Sequence, residues 1–596
     1  MGPVSACPAC GKDVPDGAFC ASCGARRSAG REQGRLRLSA YAAAPGERVL
    51  RPWVTTSLFP QLPPRSRGAF RAGLILVAVC AVGFAALRWP VPVIAIAVFG
   101  LPVLLLAYLH AIRIGRSMPV RYFVLATIVA VGMGAGWALV AGPIVAEAYN
   151  AGLGGQLDPG QLLLCGVAIP MTFALVLIAP SALVWAVDRS SRESLSGFMI
   201  GAVGATVVNA TATATLQAPR LALGVAADSQ PVSGLLAEAL VEGVAWPLGA
   251  VAIGGAFGIA LWFRPKAGAP ARYRRSVVVP AALLGALAFT VGMGVVDVAP
   301  IRLGVYLALQ LLIALLAVLA VRVVITDALL HEATGESGDE QLRCAECDHV
   351  VARMAFCSDC GVALRAASRS ARPATYRTVV GPVFAGVGAA VVASVALAWL
   401  IKPVPATYVC PPDCGRPPFG EPVETNPRFS GDGGAFSVSY PGAGSAYEVT
   451  LDPPGINGVQ ARYTAGDTGM LTLFGEPARG RTAEQIAQEI LNAKYPGATV
   501  DHEIPNASVG YEPGYGVVAD VYPRDTSSSY SRLRVIIMAA VRHDYALIAT
   551  ASGPYHEFSP EYGSGHPSAA DLEVAMDMGK YVNSFKWNGD RYQRAP

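Results

Sequence analysis

At 596 residues, the chain is 53% hydrophobic and only 15% charged, against roughly a quarter charged for a soluble globular domain. With mean hydropathy +0.43, much of it must sit in lipid, and a net charge of +4, small for the length, says nothing in favour of nucleic acid as a whole-protein partner. Membrane lipid, and protein partners on both of its sides, are the expected company.

Met1 to Ala6 lack the charged start, apolar run and cleavage site of a secretory signal, so the N-terminus is expected to stay in the cytosol. Cys7-Pro8-Ala9-Cys10-Gly11 follows at once, and after nine residues Cys20-Ala21-Ser22-Cys23-Gly24. Two Cys-x-x-Cys knuckles, each presenting two thiolates from a tight turn, complete a tetrahedral sulfur site that zinc fills. The same spacing returns as Cys344-Ala345-Glu346-Cys347 and Cys357-Ser358-Asp359-Cys360-Gly361, and both copies share Ala-Phe-Cys, at Ala18-Phe19-Cys20 and Ala355-Phe356-Cys357. The expected cofactors are two structural zinc ions, one held by Cys7, Cys10, Cys20 and Cys23 and one by Cys344, Cys347, Cys357 and Cys360, with no position open for water. Glycine after a knuckle permits positive φ; Asp348 stands in its place once. The two ribbons are expected to fold separately.

Residues 1–25 thus read as a zinc ribbon and 26–71 as an arginine-rich linker, either lying on anionic headgroups or solvated. Nine apolar stretches are long enough to cross a bilayer, near 72–87, 91–109, 122–146, 161–187, 196–217, 240–263, 277–296, 303–324 and 379–401. Eight of them make a bundle over 72–325, the second ribbon occupies 340–365, and the ninth leads into a domain over 403–596. Arg113, Arg116, Arg121, Arg189, Arg192, Arg264, Lys266, Arg272, Arg274 and Arg275 fall in alternate loops, which puts the N-terminus and both ribbons inside and the C-terminus outside a plasma membrane. Gly197 with Gly201 and Gly254 with Gly258 have the four-residue spacing that lets helices approach closely in lipid. Cys80 and Cys165, alone in apolar runs, read as packed hydrophobes.

The middles of the spans carry no ionisable residue. His110, Glu147, Asp188, Glu238, Glu242 and Asp297 stand at their ends, with Glu238 and Glu242 read as an interfacial pair; no catalytic residue is assigned. Asn209, with Thr206, Thr211, Thr213 and Thr215, is the polar cluster a transport path would need.

Beyond the last span, Cys410 and Cys414 are expected to form a short-loop disulfide, free thiols being the alternative. Alternating runs over 435–440, 459–463, 470–474, 517–521, 533–541 and 545–551 predict strands. Thr482 to Lys494 predicts a helix with Thr482 as N-cap and Gln485 closing a capping box, and Ala569 to Phe585 a second one capped by Ser568. His502, His543, His556 and His566 lack metal-ligand spacing. The fold class is therefore multi-domain: a polytopic α-helical membrane bundle, two small zinc ribbons and a C-terminal α+β domain with an antiparallel sheet and packed helices.

Residues 7–24 and 344–361 resemble the small zinc ribbons at the ends of many bacterial membrane and regulatory proteins, which implies contact with protein or nucleic acid. Phe436-Ser437-Val438-Ser439-Tyr440-Pro441 and Val582-Asn583-Ser584-Phe585-Lys586-Trp587, with the strand and helix order between them, resemble PsbP-like and actinobacterial LpqN-type envelope domains. That resemblance implies a binding or assembly module. Leu183 to Gly204 is similar to part of the PrsW-type intramembrane protease fold, but Ala179-Pro180-Ser181-Ala182-Leu183-Val184 lacks its paired glutamates, so protease activity is not implied. The function expected is a non-enzymatic envelope scaffold or sensor whose outer domain binds a ligand or partner; the alternatives are a transporter or channel subunit and a degenerate intramembrane protease.

Overall fold

The computed structural model describes the chain apart from residues 1–3, 28–40, 45–46, 51–52, 61, 63, 113–118, 153–158, 188–192, 219–231, 267–269, 300, 333–340, 345, 365–374, 401–425, 444, 465–468, 496, 505, 523–531, 556–571 and 588–596. The chain forms two compact units, one of Met1–Gly142, Leu162–Ala299 and Gly304–Lys402, the other of Pro143–Gln161, Pro300–Leu303 and Pro403–Pro596. Cys410, Cys414, Asp188, His556, His566 and Ser568 lie outside the described residues, as does the side chain of Glu147.

The first unit opens with a cysteine-bearing hairpin of β1 (Val4–Ala6) and β2 (Asp13–Pro15). A hairpin of β3 (Ala42–Ala44) and β4 (Glu47–Arg48) and the short helix α1 (Val54–Leu58) come next. Among the described residues, nine helices are then long and apolar enough to cross a membrane. They are α2 (Pro64–Ala86), α3 (Pro90–Ala111), α4 (Val120–Gly152), α5 (Pro159–Val187), α6 (Ser194–Leu216), α7 (Val232–Trp262), α8 (Arg275–Val298), α9 (Leu303–His331) and α10 (Tyr376–Leu400). Each of the nine expected spans has its helix. A second cysteine-bearing hairpin, β5 (Gln341–Arg343) with β6 (Val350–Ala352), stands between α9 and α10.

Proline shapes two of these helices. α5 and α7 each contain one π turn, Leu164–Ala168 and Val241–Ala245, and each turn ends just before a proline, Pro170 and Pro247. A proline ring clashes with the carbonyl four residues back and has no N–H to offer it; widening the turn relieves both.

Burial separates inner from outer helices: within the most apolar 18-residue stretch of each, 89% of the residues are enclosed in α6, against 17% in α10 and 28% in α4 and α8. The outer helices present Ile128, Leu139, Val140, Leu284, Phe384 and Val392 at between 65% and 69% exposure. Such a surface is tolerated only where something apolar surrounds it. At the centre, α6 and α7 run antiparallel with their glycines in register. A Cβ on Gly201 would sit 2.0 Å from the Gly254 carbonyl oxygen, and one on Gly258 would sit 2.0 Å from that of Gly197. The small-residue spacing is thus used within the chain, one motif against the other.

The second unit is built on an antiparallel sheet. β7 (Arg428–Ser430), β8 (Phe436–Ser439) and the terminal β18 (Lys586–Trp587) make a small three-stranded sheet. The main sheet has seven strands: β9 (Tyr447–Leu451), β10 (Gly458–Tyr463), β11 (Gly469–Pro477), β12 (Thr499–Glu503), β15 (Tyr515–Val521), β16 (Leu533–Arg542) and β17 (Tyr545–Pro554), in the order β12-β15-β16-β17-β11-β10-β9. A hairpin of β13 (Ser508–Val509) and β14 (Glu512–Pro513) precedes β15. Helix α11 (Ala483–Lys494) covers one face with Ile486, Ala487 and Leu491 against Val517, Val535, Ile537 and Ile548. Helix α12 (Leu572–Val582) and the small sheet cover the other, with Met578, Tyr581 and Phe436 over Leu471, Leu473 and Leu547. Because both faces are covered, β16 and β17 are buried almost throughout, so the one-sided burial that the expected alternation implies is not what these two strands have.

The expected capping box is present: Gln485 N donates to Thr482 Oγ1 at 3.2 Å and Thr482 N to Gln485 Oε1 at 3.0 Å. Thr482→Ala removes the acceptor and is expected to lower the stability of this unit by about 1 kcal/mol, read by urea unfolding followed through its tryptophan and tyrosine signals.

Candidate metal centre

The knuckle turns follow from local backbone chemistry. Gly11 N donates to the Cys7 carbonyl and Gly24 N to that of Cys20, with Gly11 at φ +72° and Gly24 at φ +76°. The second ribbon repeats this at matching positions: Asp348 N reaches Cys344 O with φ +64°, and Gly361 N reaches Cys357 O with φ +75°. Aspartate does take the left-handed position that glycine holds elsewhere.

These turns bring the sulfurs together. Cys7 Sγ lies 3.8 Å from Cys23 Sγ and Cys10 Sγ 3.8 Å from Cys20 Sγ. In the second cluster Cys344 Sγ lies 3.9 Å from Cys360 Sγ and Cys347 Sγ 3.7 Å from Cys357 Sγ. A disulfide needs about 2.05 Å. Four sulfurs around zinc at about 2.3 Å define a tetrahedron with edges of about 3.8 Å, so both sets have the separation a metal ion would impose. All eight sequence-predicted ligands are brought together, four and four, and each set could hold a metal ion.

Within the clusters the thiols differ. Burial acts to raise Cys7, yet the backbone N–H groups of Cys10 and Ala9 bring it down to about 7. Burial pushes Cys347 up to about 12 and raises Cys23 as well. A cation among the sulfurs would favour the thiolate forms that this burial opposes. Beside the second cluster, His349 Nδ1 pairs with Asp359 Oδ2 at 2.8 Å on the exposed surface, tying one knuckle to the other.

The expectation of two separate ribbons is corrected by their packing. Phe19 N donates to Ser358 O and Phe356 N to Ala21 O, both at 2.9 Å, so each ribbon bonds the second knuckle of the other. The Phe356 ring lies on Gly24, where a Cβ would come within 2.8 Å of it, and the Phe19 ring lies on Gly361, where the gap would be 2.5 Å. The repeated Ala-Phe-Cys is thus an exchange of rings between ribbons more than three hundred residues apart in sequence.

The linker also departs from expectation. Arg67, read as part of a headgroup-facing or solvated tail, stands in α2 and pairs with the buried Glu346 at 2.8 Å. Burial raises the Glu346 carboxyl to about 7, against the pull of Arg67. The hairpin and α1 pack where α9 presents Arg322, a fully buried guanidinium that donates to Glu47 Oε2 at 3.0 Å, Val49 O at 3.1 Å and Thr56 Oγ1 at 2.7 Å. Arg322 escapes the sequence reading because the expected span ends at residue 324 and leaves it at a margin; α9 continues to His331. Glu332 was missed as well: its carboxylate accepts from Ser194 N at 2.9 Å and Ser194 Oγ at 3.0 Å, capping α6, which has no cap of its own.

The remaining candidates lie apart from the clusters. Glu242 is in the π turn of α7 and accepts from Thr213 Oγ1 at 3.4 Å; Glu238, one turn earlier, is half-buried. Asn209 is buried, and the nearby hydroxyls are used within α6: Thr206 donates to Ala202 O, Thr211 to Val207 O and Thr215 to Thr211 O. Rings fill the adjoining section, Trp137 on Phe173, Phe173 on Trp246 and Trp246 on Phe289, with centroids 4.4, 5.6 and 5.7 Å apart. Asp297 accepts from the Tyr306 hydroxyl at 3.0 Å. His502 and His543 lie on β12 and in the β16–β17 turn, with His502 beside Asp501 at 3.0 Å.

The two cysteine clusters and the nine apolar helices define the class, a helical-bundle protein with a pair of four-cysteine ribbons and a separate sheet unit. No protein-family model, no curated protein and no solved structure matches this chain.

Proposed function

We propose that this is a multi-pass plasma-membrane protein of the bacterial cell envelope, without enzymatic activity of its own. Its cytoplasmic zinc-ribbon pair contacts a protein partner, and its extracytoplasmic α+β unit binds a ligand or a second partner. The observation that carries the membrane reading is the band of large apolar side chains on the outer helices, which only lipid would cover. Zinc is the favoured metal because four sulfur ligands at tetrahedral separation leave no open site and suit a structural ion. The ribbons engage each other, and eight apolar helices separate them in sequence, so both belong on one side. Thiolate ligands need a reducing compartment, which agrees with the arginine bias of the loops.

The scaffold reading is favoured over transport by the state of the polar cluster on α6. Thr206, Thr211 and Thr215 donate to the helix's own carbonyls, Thr213 donates to Glu242, and four rings in tilted and edge-on contact pack beside the cluster.

Two measurements test this reading. Elemental analysis of metal-replete protein is expected to give two zinc ions per chain; clearly less than two would defeat the assignment of both clusters as zinc sites. In intact cells an impermeant maleimide is expected to leave the eight ribbon cysteines unlabelled, while a reporter fused after Pro596 works only outside. A reporter active only in the cytoplasm would overturn the topology and the outer binding role with it.

A further inference from the structure

The contact between the ribbons goes beyond holding two metal ions side by side. Phe19 immediately precedes Cys20, and Phe356 immediately precedes Cys357. The amide of each phenylalanine bonds a carbonyl that lies between the two cysteines of the other ribbon's second knuckle, Ser358 in one direction and Ala21 in the other. Its ring covers the positive-φ glycine that closes that same knuckle, Gly361 or Gly24. Each ribbon therefore supplies part of the wall of the other's ligand turn. Cys20, Cys344 and Cys357 are fully buried.

We infer that the two clusters bind and release their metal ions as one coupled unit, each ribbon's loaded shape being a condition for retention in the other. This rests on reading both four-cysteine clusters as metal sites. The physical reason is that the first ribbon packs around only Cys7, Val14, Cys20 and Ala21, so its metal supplies much of its folding free energy, while the second shares the bundle's core and relies on metal to keep its knuckles in shape. When the second cluster empties and its knuckle loosens, Phe356 leaves Gly24 and the amide bond to Ala21 is lost. The first knuckle then holds its metal with one wall missing, and the same holds in reverse by linkage.

The test uses the full chain in detergent, metal-loaded, and follows release into excess chelator. Thiols exposed at each time are alkylated, and mass spectrometry of the separate peptides distinguishes Cys7, Cys10, Cys20 and Cys23 from Cys344, Cys347, Cys357 and Cys360. Coupling predicts one shared time course in the wild type. It predicts that Phe356→Ala speeds alkylation of the first cluster, to which Phe356 gives no ligand, by about fivefold to tenfold, as loss of a packed ring would. Phe19→Ala should do the same to the second cluster, and Phe356→Leu should fall between. Cys347→Ser removes a ligand without touching the first ribbon, and it should also speed release there. An unchanged first-cluster time course in both Phe356→Ala and Cys347→Ser, with the second cluster emptied, overturns the inference. Immediate alkylation of both sets in a wild type that retains no metal would instead defeat the metal reading beneath it.

Discussion

Gly201→Val is expected to cost the bundle about 3 kcal/mol or more and to remove most monodisperse protein from detergent extracts. A Cβ at this position lies 2.0 Å from the Gly254 carbonyl oxygen and 2.7 Å from its carbon. Both are backbone atoms, which cannot rotate away, so the two central helices must separate along their whole seam. Overpacking of a close-packed interior typically costs about 1–3 kcal/mol where side chains can adjust, and here they cannot. Gly136→Val supplies the control, because nothing lies within 4 Å of a Cβ there. The measurement is thermal unfolding in detergent with size-exclusion recovery. Equal losses in the two variants would mean that the α6–α7 seam does not limit stability.

The second large effect is expected at Arg322. Arg322→Met leaves the Glu47 carboxylate with the Thr56 hydroxyl but without its closest cation, and removing one partner of a buried pair costs about 3–5 kcal/mol. Glu47 is partly relieved by Arg67, 4.0 Å away, which places the expectation toward the lower end. Arg322→Met combined with Glu47→Gln should be less damaging than Arg322→Met alone, because no carboxylate is then stranded. If the double variant is as unstable as the sum of the singles, the guanidinium acts through its bonds to Val49 and Thr56 rather than through the charge pair.

Several features were legible because they depend on short stretches of chain. The capping box at Thr482 and Gln485 is a four-residue pattern, and the structure reproduces both of its bonds. The apolar stretches were legible from length and apolarity, but three helices outrun them most: α2 starts at Pro64 against 72, α7 at Val232 against 240, and α9 ends at His331 against 324. The edge strands at 447–451 and 499–503 lie outside the predicted runs: Thr499–Glu503 is polar and offers no alternation, whereas Tyr447-Glu448-Val449-Thr450-Leu451 does alternate and was open to the same reasoning.

What the sequence by itself determined is the content of the sites: which cysteines group four and four, which helices are apolar, and that a strand-rich stretch follows the last of them. A knuckle is a local turn, and an apolar helix satisfies its own backbone, so neither needs a distant residue to be recognised. Only the tertiary structure decided the partnerships. Gly201 is spaced like many helix-packing glycines, and nothing in its own run names Gly254; Phe19 repeats in Phe356, but a repeat does not say that the two exchange rings. Arg322 is one more residue at the margin of an apolar run until folding brings Glu47, Val49 and Thr56 to it from the other end of the bundle's sequence. Contacts of this range are fixed by the closing of loops hundreds of residues long, and complementarity at that distance leaves no periodicity or spacing to read.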